Sequence, residues 1–145
     1  MEINLQKSLS ELDKTLKPNH SELTNLTKKH NQGLVKKLRD FDNEDFRFMI
    51  SQNTGLQYLI PLIIDVLEDN IFAEGDFYEG DLLESMLKID FKFWRNHDSL
   101  AKKVYDLIKN KINFNNIEIT DDIKDSLNLK IDNYINFYEE YYKRA

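Results

Sequence analysis

The sequence predicts an all-α fold of about six to eight amphipathic helices, on three observations. Apolar residues recur at spacings of three and four along most of the 145 residues. No segment alternates convincingly between apolar and polar residues as a half-buried strand does. Four glycines and two prolines are too few for an all-β chain, which turns about every 8–12 residues. No internal repeat and no long linker divides the chain, so one domain over 1–145 is expected.

Capping signals and apolar spacing place the elements in order. Leu5, Leu9, Leu12 and Leu16 predict a first helix that Pro18 ends, because proline removes a backbone donor. Asn19 with Glu22 three residues on reads as a capping box opening a second helix, with Leu23, Leu26, His30 and Leu34 on its inner face. On that face His30 is a core or boundary residue rather than a ligand. Asp42 should cap a third helix, with Asp45 at the third helical position, Phe41 stapled onto Phe46, and Phe46, Met49 and Ile50 inside.

After Gly55, LQYLIPLIIDVLEDN supplies the most apolar helix. Leu59, Leu62, Ile63, Val66 and Leu67 share one face, and Pro61 belongs in the first turn or at a kink. IFAEGDFYEG, residues 71–80, predicts one acidic glycine-containing loop. Asp81 with Glu84 reads as a second capping box ahead of inward-facing Leu83, Met86 and Leu87. FKFW forms a short turn, and Asp98 opens a helix carrying Leu100, Val104, Leu107 and Ile108. Residues 110–116 form an asparagine-rich linker, with a short strand over 112–119 as the open alternative. A last helix from Asp121 to Tyr142 carries Ile123, Leu127, Ile131, Tyr134, Tyr138 and Tyr141 on one face.

The net charge of −6 is unevenly spread. Residues 40–90 carry 13 acidic residues against Arg47 and Lys88 alone, a net −11, while the flanking thirds carry +4 and +1. Asp42, Asp45, Asp81 and Glu84 fall at helix starts, where a carboxylate complements the helix dipole. Glu68 and Asp69 fall at a helix C-terminus, where it does not. With Glu74, Asp76, Glu79 and Asp81 they form either a solvated acidic face or a candidate binding surface for a cationic partner, which would be attracted at long range. Phe77 and Tyr78 interrupt this acidic stretch, either as anchors of the loop to the core or as aromatic interface residues.

Composition and motifs exclude several functions. A nucleic-acid binder needs a basic face. No apolar run reaches the roughly 18–20 residues of a membrane span, and Met1 to Lys17 lacks the apolar core of a signal peptide, so a cytoplasmic location is expected. The absence of cysteine excludes disulfides, thiolate metal sites and a cysteine nucleophile. His20, His30 and His97 stand apart, against a zinc site. Glu-Gly-Asp recurs at 74–76 and 79–81, yet the ligand spacing of an EF-hand is missing. No P-loop, GxGxxG or GxSxG occurs. No catalytic residue, cofactor or small-molecule substrate is expected, and a binding protein is favoured over an enzyme.

The residues of the centre resemble a known family. Gly55-Leu56-Gln57-Tyr58-Leu59-Ile60-Pro61-Leu62 and the stretch from Ala73 to Leu83, followed by FKFW, are similar to the bacterial immunity proteins of contact-dependent growth inhibition (CDI) systems. The resemblance spans about 34–95 and leaves 97–145 as a helical extension. It implies a small cytoplasmic protein that binds, one to one, the C-terminal toxin domain of a secreted effector and blocks it. Glu68, Asp69, Glu74, Asp76, Phe77, Tyr78, Glu79 and Asp81 are then the expected contacts, covering a basic active site or exosite. A motif shared across a family whose toxins differ can instead maintain the fold, with contacts at the variable ends of the chain, including the tyrosine-rich last helix. An acidic helical adaptor, or a carboxylate-metal enzyme, are the alternatives from other classes.

Overall fold

Local capping decides where most helices begin. A computed structural model describes residues 2–21, 24–112 and 119–142. Among these, the regular structure is helical, apart from one isolated antiparallel bridge between Glu74 and Glu79. The elements are α1 (Leu9–Leu12), α2 (Asn25–Val35), a 3-10 turn (Leu38–Asp40), α3 (Asn43–Ser51), α4 (Leu56–Asp69), α5 (Asp81–Leu87), α6 (Phe91–Arg95), α7 (Asp98–Lys111) and α8 (Asp121–Tyr142). Their apolar faces meet in one contiguous core from Leu9 to Tyr138.

The N-terminal expectations need correction. Only Leu9–Leu12 is helical in the leucine-spaced segment, opened by a Ser8–Glu11 capping box. Side chains on either side bind the local backbone instead. Asn4 Oδ1 accepts from the Gln6 amide at 3.0 Å, and Asp13 Oδ1 accepts from the Thr15 amide at 3.0 Å. Such turns compete with helix. The second helix starts at Asn25 behind Thr24, whose hydroxyl accepts from the Thr27 amide. Asn19 instead accepts from the Ser21 amide, and Glu22 and Leu23 lie outside the described residues. Leu26 is 56% exposed, so the inner face of α2 is Asn31, Gly33 and Leu34, with His30 half-buried.

The start of α3 is as expected. Asp42 and Asp45 cap each other's backbone, and Phe41 packs on Phe46 with ring centroids 5.2 Å apart. The most apolar helix, α4, buries Leu59, Ile60, Ile63, Ile64 and Leu67. Leu62 and Val66, placed inside by spacing alone, are half-exposed. Pro61 falls in the second turn, not the first. A helix apolar on most of its surface can be rotated without changing its pattern, so spacing does not fix its phase.

FKFW is a short helix, α6, capped by Asp90 through the Lys92 amide. In α8, Leu127, Ile131, Tyr134, Phe137 and Tyr138 are buried, while Tyr141 stays exposed. The linker and its strand alternative fall mostly on residues 113–118, outside the described ones. Tyr134 donates to the Ala101 carbonyl at 2.6 Å, and Tyr142 donates to the Trp94 carbonyl at 2.8 Å. These bonds tie α8 to α6 and α7, so the C-terminal extension is part of the core rather than an appendage.

Candidate functional site

The acidic loop between α4 and α5 is held from inside by carboxylates of its own chain. Asp81 is 2% exposed. Its Oδ1 accepts from the Gly75 amide at 2.6 Å, and its Oδ2 accepts from the amides of Phe77 at 3.0 Å and Tyr78 at 3.4 Å. Charge-assisted bonds of this kind are about twice as strong as neutral ones. The expected capping box is therefore not formed. Gly80, at φ 90°, occupies the cap position of α5, Asp81 is its first residue, and the Asp81 carboxylate points back into the loop.

Glu44, from the first turn of α3, is the second inward carboxylate, at 8% exposure. Arg47 donates to it twice, at 2.6 Å and 2.6 Å, and Lys29 donates at 3.3 Å. The Asp76 amide adds a fourth bond at 3.0 Å. Asn43 Nδ2 also holds the Glu74 carbonyl at 3.1 Å. Hydrogen bonding from Arg47, chiefly, holds the Glu44 carboxyl down to about 2, although burial opposes this. An unpaired glutamate titrates near 4.5. The stabilisation is therefore complete above about pH 4.5 and is lost as pH falls toward 2. Melting at about pH 5 and about pH 3 should show a drop that is smaller in Glu44→Gln.

Glu84, 4% exposed, is the third inward carboxylate. It accepts from the Tyr78 hydroxyl at 2.6 Å and from the Ser126 hydroxyl of α8 at 2.8 Å. Burial, then the bond to Glu84, raises the Tyr78 phenol well above its ordinary range, so it stays a donor. Both loop glycines have a reason in this geometry. A Cβ at Gly75 would lie 2.8 Å from Glu44 Oε1 and 3.1 Å from Asp81 Oδ2. Gly80 has a left-handed φ, and a Cβ there would meet Leu127 Cδ2 at 3.2 Å. Gly80→Ala is expected to cost about 1–2 kcal/mol, read as a fall of roughly 5 °C in Tm.

The eight residues singled out from sequence separate into three groups. Glu74, Asp76 and Phe77 are exposed and Glu79 is half-buried, all on the loop. Phe77 is 65% exposed, with the Arg47 guanidinium 4.5 Å from its ring centroid. Tyr78 and Asp81 face inward, Tyr78 anchoring the loop through Glu84, whereas the ring of Phe77 stays exposed. Glu68 and Asp69 are exposed on α4, and Glu68 lines a groove with Lys103. Sequence reasoning missed Glu44, Arg47, Asn43 and Ser126. The three-residue spacing of Glu44 and Arg47 on one helix was the available signal.

Among the described residues, no group of three or more His, Asp or Glu converges as metal ligands would. The inward carboxylates already accept from amides, Arg47, Lys29 and hydroxyls, which is the chemistry of a loop scaffold. Among the described residues, no helix is long and apolar enough to cross a membrane.

The family described as CDI immunity proteins matches residues 11–104. The chain belongs to this family. The match starts earlier and ends later than the resemblance noted over 34–95, and it includes every residue of the loop scaffold except Ser126. No curated protein and no solved structure matches this immunity protein. Its α8 lies beyond the matched region, yet it supplies Leu127 and Ser126 behind the loop.

Proposed function

We propose that this immunity protein binds the C-terminal toxin domain of its cognate CDI effector in the cytoplasm and neutralises it, one to one, with the 74–79 loop laid over a basic active site or exosite. The observation that carries this is the division of the acidic residues. Asp81, Glu44 and Glu84 turn inward and fix the loop, which leaves Glu74, Asp76 and Glu79 on the same loop as the exposed ring of Phe77. An aromatic residue within a charged rim is a common arrangement of binding hot spots.

A loop already ordered before contact loses little conformational entropy on binding. The acidic rim raises the encounter rate with a cationic surface. Tyr78 and Asp81 act as positioning residues in this scheme, and Glu68 and Asp69 extend the negative field. No step requires a cofactor, a nucleic acid, a membrane or a small-molecule substrate.

The test is calorimetry of the purified protein with the toxin domain encoded beside it, together with a toxicity assay. Tight one-to-one binding that abolishes toxicity is the expected outcome. A folded protein that leaves the toxin active, and does not bind it, would return the acidic adaptor as the better reading.

A further inference from the structure

A second acidic feature lies apart from the loop. The N-terminal segment and α4 line a groove of about 530 Å³, to which α7 contributes Lys103. Leu5, Pro61 and Leu62 form an apolar floor, of which Leu5 is 42% exposed. Glu2, Asp65 and Glu68 stand on its walls, and all three are exposed. None of these carboxylates makes an ion pair within 4.0 Å among the described residues, in contrast to Glu44. Lys103 is the basic lining residue.

The backbone adds to this field. Asp65 and Glu68 lie in the last two turns of α4, whose C-terminal end carries the negative pole of the helix and has no basic residue in its last turn. Carboxylates there are unfavourable for the helix alone. The same placement strengthens the attraction for a cation arriving from outside. An apolar floor with this rim matches a segment that offers an aliphatic side chain and, one helical turn away, an ammonium or guanidinium group.

We infer that the groove between residues 2–5, α4 and α7 is a docking site for a lysine- or arginine-bearing amphipathic helix of a protein partner. The groove shares no residue with the 74–79 loop, and of its carboxylates only Glu68 also adds to the negative field proposed there. The floor takes the leucine-type side chains, and Glu2, Asp65 and Glu68 take the charges. Both halves are needed, since the charges set the register and the apolar contacts add the burial that holds the segment in place.

The test uses a synthetic amphipathic peptide of leucine and lysine, about 14 residues or four helical turns long. Amide chemical shifts are followed by NMR on the intact 15N-labelled protein. Shifts should concentrate at Leu5, Leu62, Asp65 and Glu68. Asp65→Lys with Glu68→Lys should weaken binding by about tenfold or more at a Tm that is unchanged or slightly raised. Replacing the peptide leucines by serine should weaken it as much. Three results would overturn the inference: no binding, equal binding of the serine peptide, or shifts centred on 74–79. Because the probe is not the toxin, each of these results leaves the proposed toxin contact to its own test.

Discussion

Asp81→Asn is expected to lower Tm by roughly 8 °C and to weaken capture of the toxin domain by about tenfold or more. The substitution is nearly isosteric, so no cavity is opened. What changes is the acceptor. Three backbone amides, from Gly75, Phe77 and Tyr78, point at the Asp81 carboxylate. An asparagine offers one carbonyl oxygen, and its NH2 group must face at least one of those donors. Losing charge-assisted bonds and leaving a buried amide unpaired costs about 2–3 kcal/mol. The binding loss follows because Phe77 and Asp76 are held in place by that carboxylate and by Glu44. Scanning calorimetry and titration of the same sample separate the two effects. A stable Asp81→Asn protein with a native melting curve would mean that the loop holds its shape without this anchor.

Asp76→Lys with Glu79→Lys should do the converse. Asp76 is exposed and Glu79 half-buried, and neither carboxylate is among the internal anchors of the loop. Stability should therefore change by no more than about 0.5 kcal/mol. Reversing two charges beside Phe77 removes attraction for a cationic surface and adds repulsion. Association with the toxin domain should slow by roughly 30-fold to 100-fold at low salt, with a smaller change in dissociation. The difference should shrink as salt is raised. An association rate equal to that of the unmodified protein would place the contact elsewhere.

The contrast between α3 and α5 shows which features were legible in the sequence. Both helices open with an acid three residues before another acid, the pattern of a capping box. At α3 the pattern is what it looks like: Asp42 and Asp45 cap each other, and the Phe41–Phe46 staple forms within the same turn. At α5 the same spacing serves another purpose. Asp81 reaches back to amides four and six residues earlier, and Glu84 pairs with Tyr78 and with Ser126, 42 residues later. A local pattern has no information about partners that distant, so Asp81 reads as a cap.

The charge count met the same limit. It located the acidic centre at residues 40–90, but counting cannot say which carboxylates turn inward. Glu44, Asp81 and Glu84 do, and the reason is tertiary: each meets donors supplied by another element or by the loop backbone. The phase of α4 was hidden for a related reason, since Leu62 and Ile64 are equally apolar and only packing distinguishes them. The family resemblance did reach the loop, because its glycines and acids are the residues that build it.

The central claim is that a loop fixed from within presents Phe77 to the toxin. Calorimetric titration of Phe77→Ala against the cognate toxin domain addresses it most directly, because the ring is exposed and its loss leaves every carboxylate anchor intact. Affinity should fall by about 30-fold, or about 2 kcal/mol, with Tm within about 2 °C of the unmodified protein. Binding as tight as that of the unmodified protein would contradict the claim and move the contact off the loop.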